Sequence, residues 1–178
     1  IVIAASAGGE SRLYVIEGWR TIAEVDAAGK LIARHALDLP EGAAITYVRT
    51  ATDNTGKRHF IASSPLAPQL FVFDDSWKLK LAWPPEGEAP LSLVDLALAD
   101  VGESDGIPET LAGSVADIGL VALSLDGPVR WRNRVFPNAV SIAVSQPNDV
   151  GSWGIFVTGE RGAVLRVNRF GKEEPPVT

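Results

Sequence analysis

The chain has no cysteine and no methionine, and only two histidines among its 178 residues. Without cysteine there is no disulfide framework, no zinc-thiolate centre and no thiol nucleophile. His35 and His59 lie in different segments, and neither has an acid-plus-serine pattern beside it. Nothing therefore assembles a catalytic triad, and both are expected to be structural. No uncharged apolar run approaches the roughly 18 residues of a membrane helix, and no basic-apolar leader opens the chain, so no membrane span is expected. A clean 3.6-residue period is missing too: no window of about a dozen residues holds one, which argues against helical and α/β folds. An excess of positive charge is also lacking. The formal net charge of −6 disfavours nucleic acid as a partner.

What the chain does have is ordinary globular chemistry, 46% hydrophobic and 21% charged, enough to bury one core. Its 17 glycines and 12 prolines fall mostly between short apolar runs, the pattern of many strands separated by turns. Residues 93–135 hold one complete unit. An apolar run over 93–99 enters a turn rich in small and acidic residues, Asp100 to Gly106, and strands are expected at 109–115 and 120–125. In the latter, Val121, Leu123 and Leu125 alternate with Ala122 and Ser124, the period of a half-buried strand. Asp126-Gly127 reads as a two-residue hairpin turn, and 129–135 returns with Val129 and Trp131 on one face and Arg130, Arg132 and Arg134 on the other. Long cationic side chains protect unpaired edges, so this last strand is expected outermost.

The unit recurs. Strands are expected at 1–5, 13–16, 21–25 and 31–37, then at 45–51, 58–63, 70–73 and 79–83, and finally at 140–145, 154–158, 163–167 and 173–178. The third turn of each set places Gly29, Ser76, Gly127 and Gly171 in register, 47, 51 and 44 residues apart. The first turn places Gly56, Gly106 and Gly151, 50 and 45 apart. Four-strand repeats of about 40 to 50 residues mark propeller blades, since one twisted sheet cannot bury both its faces alone. The expectation is an all-β fold: a β-propeller of about four four-stranded antiparallel blades, over 1–42, 43–90, 91–138 and 139–178. It is either a complete ring or part of a larger one built from further blades of the same native chain. A β-sandwich is the rival fold.

Two resemblances follow from these residues. Asp100-Val101-Gly102-Glu103-Ser104-Asp105-Gly106-Ile107-Pro108-Glu109 resembles the D-V-x-G-D-G-x-P-D/E hairpin of FG-GAP and VCBS-type propeller repeats. That resemblance implies an adhesion-type module, an extracytoplasmic location and the calcium site that some such repeats hold. Oxygen ligands for calcium would come from Asp100, Glu103, Asp105 and Glu109, with Ser104 beside them; the alternative is an unmetallated acidic turn. Residues 123–131, with Trp131 four after Gly127, resemble the D-x-x-T-G-K-x-x-W hairpin of quinoprotein-like propellers, and Asp26-Ala27-Ala28-Gly29-Lys30 keeps the same turn. Quinone chemistry needs a base, a cation and stacking tryptophans around an axial pocket. No spacing here assembles them, so no cofactor is expected.

Of five tryptophans, Trp83 and Trp131 fall in expected outer strands and read as inter-blade packing. Trp19, Trp77 and Trp153 fall in or beside turns, where a large ring is harder to bury, and are the expected partner contacts. The functional expectation is a non-catalytic binding module presenting loops to a protein or small ligand. A quinone-dependent oxidoreductase and a calcium-dependent adhesion repeat are the alternatives.

Overall fold

Alternating apolar residues between glycine-marked turns produce antiparallel strands throughout. The computed structural model describes residues 2–7, 10–102, 105–115, 117–145 and 154–175. The first sheet comprises β1 (Val2–Ala7), β2 (Glu10–Glu17), β3 (Thr21–Asp26) and β4 (Leu31–Ala36). The second comprises β5 (Tyr47–Thr52), β6 (Arg58–Ser63), β7 (Leu70–Phe73) and β8 (Leu79–Trp83). The third holds β9 (Leu93–Ala99), β10 (Glu109–Ser114), β11 (Gly119–Leu123) and β12 (Val129–Asn133). The fourth holds β13 (Ala139–Val144), β14 (Ile155–Gly159), β15 (Val164–Val167) and β16 (Glu173–Glu174). In every sheet the strands pair antiparallel with their neighbours in sequence. The fold is a β-propeller of four blades.

The first strands β1, β5, β9 and β13 approach one another in series and form the inner row, which leaves the last strand of each blade outermost. Arg130 and Arg132 therefore stand exposed on an edge strand, as the arginine stripe implied. Arg132 lies 5.9 Å over the ring of Trp83 in the blade before it. Three apolar clusters fill the interfaces between successive blades. The first is centred on aromatic rings: Trp77 stacks on Phe60 at 3.9 Å, with Tyr14 edge-on at 5.5 Å and Phe73 at 5.9 Å. Trp83 is buried in the second, and Trp131 packs against the third.

Three local expectations change. The residue that closes the third turn of the second blade is Trp77, at φ 63°, rather than Ser76; it is the counterpart of Gly29, Gly127 and Gly171. The turn after β11 is longer than Asp126-Gly127. A bulge between Ala122 and Leu123 ends the regular register early, and Gly127 N donates to Ser124 O while Ser124 N donates to Pro128 O. Of the expected strand at 173–178, Glu173–Glu174 pair with β15 and Pro175, which has no N–H to donate, does not; 176–178 lie outside the described residues. Gly151 lies outside the described residues.

Candidate interaction face

The blades present two ends. At one end lie the turns between first and second strands and between third and fourth. Here aspartate and asparagine side chains organise the chain locally, by taking backbone N–H groups that no strand partner satisfies. Asp26, Asp74 and Asn168 each accept, through Oδ1, the N–H groups two and four residues onward, and Asp53 does the same in the first turn of the second blade. Asp53 also accepts from the Thr55 hydroxyl and pairs at 2.8 Å with His59 Nε2. Those contacts hold its carboxyl well below the usual range. Burial pushes Asp74 upward, but hydrogen bonds from Ser76, from the Lys78 and Ser76 backbone and from Lys80 outweigh it and leave the pKa at about 2. His35 pairs with Glu24 at 3.1 Å in a different blade, so the two histidines are not brought together.

A cleft of about 630 Å3 opens at this end between the second and third blades, lined by Lys57, His59, Glu109, Asp126 and Arg130 among others. The acidic loop forms part of its wall. Glu109 Oε2 accepts the N–H groups of Val101 and Gly102, Asp100 Oδ2 accepts Gly106 N, and Asp105 Oδ1 accepts Ile107 N. Burial pushes the Glu109 carboxyl up. Gly102 is what lets that carboxylate approach, since a Cβ there would meet Oε1 at 2.1 Å. These carboxylates hold the loop in shape, and among the described residues no three His, Asp or Glu side chains are grouped to hold a metal ion. Asp100 Oδ1, by contrast, is buried without a hydrogen-bond partner among the described residues. Glu103 and Ser104 lie outside the described residues.

At the opposite end lie the turns between second and third strands and the connectors between blades. Each of these turns carries a non-glycine residue in left-handed geometry: Trp19 at φ 69°, Leu66 at 58°, Asp117 at 65° and Arg161 at 65°. They are 47, 51 and 44 residues apart, so they are equivalent positions of the four blades. All four are exposed, Trp19 by 65% and Leu66 by 67%. The turns are fixed to neighbouring segments. Trp19 O accepts Ile45 N, Leu66 N donates to Leu93 O at 2.6 Å, and Arg20 donates to Leu39 O, Pro40 O and Ala43 O. A cavity of about 390 Å3 lies between the connector at 40–44 and the turn at 64–69, walled by Pro40, Ala43, Ala67, Pro68 and Phe71. Its size and apolar lining suit the anchoring of a side chain.

Of the expected contact tryptophans among the described residues, Trp19 stands on this face and Trp77 does not. Trp77 is 4% exposed inside the first cluster and presents no surface to a partner. It is buried because the αL turn aims its ring inward onto Phe60. Trp153 lies outside the described residues. Leu66, Asp117 and Arg161 were not foreseen, although their separations repeat those of the turn glycines.

No protein-family model matches the chain, and no curated protein matches it. Solved structures do, as β-propellers. BBS1N, in complex with ARL6DN, is similar at a TM-score of 0.68 with 16% identity, over 98% of this chain and 55% of that one. Virginiamycin B lyase from Staphylococcus aureus is similar at 0.53 with 11% identity, over 94% and 54%. A putative exo-beta-1,3-galactanase from Bifidobacterium bifidum s17 is similar at 0.58 with 12% identity, over 97% and 68%. Identities this low establish the fold alone. The chain spans a little over half the length of the first two of these structures.

Proposed function

We propose that the chain is a non-catalytic binding module that takes a protein partner on the end carrying Trp19, Leu66, Asp117 and Arg161. One observation carries this reading. At four equivalent turns, where glycine would adopt the backbone freely, the chain instead places an exposed side chain in αL geometry at a cost of about 1 to 3 kcal/mol each. Trp19 and Leu66 are 65% and 67% exposed, so burial within the fold recovers little of that cost and the gain is expected on binding. Trp19 and Leu66 supply one exposed apolar side chain on each of the first two blades, while Asp117 and Arg161 supply one charge of each sign on the others. The propeller neighbours include a protein complex, BBS1N with ARL6DN, as well as a lyase and a galactanase, so the reading rests on the turns.

The experiment compares affinity capture by the native chain and by the Trp19→Gly/Leu66→Gly variant, then measures the purified partner against both. A saturable partner lost with this variant but kept by His59→Ala supports the proposal. Binding that is indifferent to Trp19 and Leu66, or a visible absorption band on adding a quinone cofactor, would replace it with a different site or with the quinone-dependent oxidoreductase.

A calcium-dependent form of the module is favoured by one feature, the unpartnered Asp100 Oδ1. Calorimetry with millimolar calcium would detect a heat, and calcium would raise the melting temperature, if Asp100, Glu103, Asp105 and Glu109 hold the ion. No heat and no shift would leave the loop as a hydrogen-bonded turn.

A further inference from the structure

In the second, third and fourth sheets, the centre of the face turned toward the preceding blade is apolar and covered, with partly buried residues such as Leu79, Leu98 and Leu165 at its margins. Phe60, Ala62, Phe71 and Phe73 occupy it in the second, Ala112, Val121 and Leu123 in the third, and Ile155, Val157 and Val167 in the fourth, all exposed by 3% or less. The strand pairing gives the matching positions in the first sheet. Phe60 pairs with Phe73 and Ala62 with Phe71, just as Leu13 pairs with Val25 and Val15 with Ala23. These four first-sheet residues are apolar too. Yet they belong to none of the three clusters, and although the small Ala23 is buried, Leu13, Val15 and Val25 are only half-buried. The opposite face of the same strands, with Tyr14 and Ile22, is already packed against the second blade. An antiparallel sheet with one solvated face alternates apolar and polar residues. Leu13-Tyr14-Val15-Ile16 does not alternate.

We infer that the outward face of the first sheet is an inter-blade surface, covered in the native polypeptide by a further four-stranded blade packed ahead of β1. The occupant is a blade of the same polypeptide rather than a second copy of these four. A head-to-tail copy would have to cover Leu13, Val15 and Val25 with the outward face of the fourth sheet. By strand register that face carries Ala143, Phe156 and Val164, but also Ser141, Thr158 and Arg166, the last paired with Glu174 at 2.8 Å. It is too polar to match the faces that fill the other interfaces. The structural neighbours are in keeping with a cis blade, since 98% of this chain corresponds to only 55% of BBS1N.

The test is hydroxyl-radical footprinting, read by mass spectrometry at Leu13, Val15 and Val25, on two unmodified proteins: the 178-residue chain and the complete product of its gene. Tyr14, buried on the other face, is the internal control. The three side chains are expected to react in the 178-residue chain and to slow by roughly an order of magnitude in the complete product, while Tyr14 stays unreactive in both. Equal reactivity in the two proteins would overturn the inference. So would a gene product of only 18.9 kDa, or light scattering in which the 178-residue chain is a dimer with these side chains already protected.

Discussion

Trp19 and Trp77 occupy turns of the same left-handed backbone geometry, at φ 69° and 63°, and meet opposite fates. Trp77 is 4% exposed and Trp19 is 65% exposed. The backbone cost is comparable at the two positions. At Trp77 it is offset within the fold, by stacking on Phe60 and by edge contact with Tyr14. At Trp19 no such packing offsets it. The blade template therefore sets the conformation of a turn, and what lies beside the turn decides which residue is tolerated there. For Trp77 the neighbour is the core, and for Trp19 it is mostly solvent.

The largest effect expected from this contrast is at Trp77. Trp77→Gly relieves the αL backbone but empties the centre of the aromatic cluster, and urea unfolding should record a loss of about 3 to 5 kcal/mol. A loss below about 1 kcal/mol would mean that the cluster does not offset the turn. Next comes the backbone itself. Gly119, at φ 76°, would bring a Cβ within 2.3 Å of Asn133 O and 2.8 Å of Phe136 O, whereas Gly18, at φ 57°, faces open space. Gly119→Ala should therefore cost about 2 kcal/mol or more, and Gly18→Ala only about 1. Equal losses at the two sites would show that conformation alone, not close approach, sets the cost.

A smaller effect concerns the acid that anchors the Trp77 turn. Asp74 accepts Ser76 N and Lys78 N, and its pKa lies at about 2 against an ordinary 3.8. A carboxyl depressed on folding stabilises the native state above its unfolded pKa, and that stabilisation fades as pH falls through the folded value. Acid titration of stability should accordingly be steeper between pH 3.8 and about 2 in the native chain than in Asp74→Asn. Identical acid limbs would detach the turn from this carboxylate.

Much of the fold is legible in the sequence, for a physical reason. Strand alternation and turn glycines are local signals, and β6, β7, β8 and β9 fall where the apolar runs put them. The chemistry of the turns is legible at Asp26 and Gly29 for the same reason. Packing across a turn is less so. Trp77 sits where glycine is the norm, so it was displaced by one residue in the register, and its burial depends on Phe60 and Tyr14 from other strands and another blade. The proposed interaction face was hidden more deeply. Trp, Leu, Asp and Arg share no side-chain property, and only the backbone torsion at residues 19, 66, 117 and 161 makes them one set. Their common spacing was the sole trace of it.

The most direct test of that set is the unfolding free energy of the Trp19→Gly/Leu66→Gly variant. If these side chains serve a surface outside the fold, removing them relieves two strained turns and stability stays level or rises by about 1 kcal/mol. A fall of more than about 1 kcal/mol would show that they hold the propeller together, and would contradict their assignment to a partner.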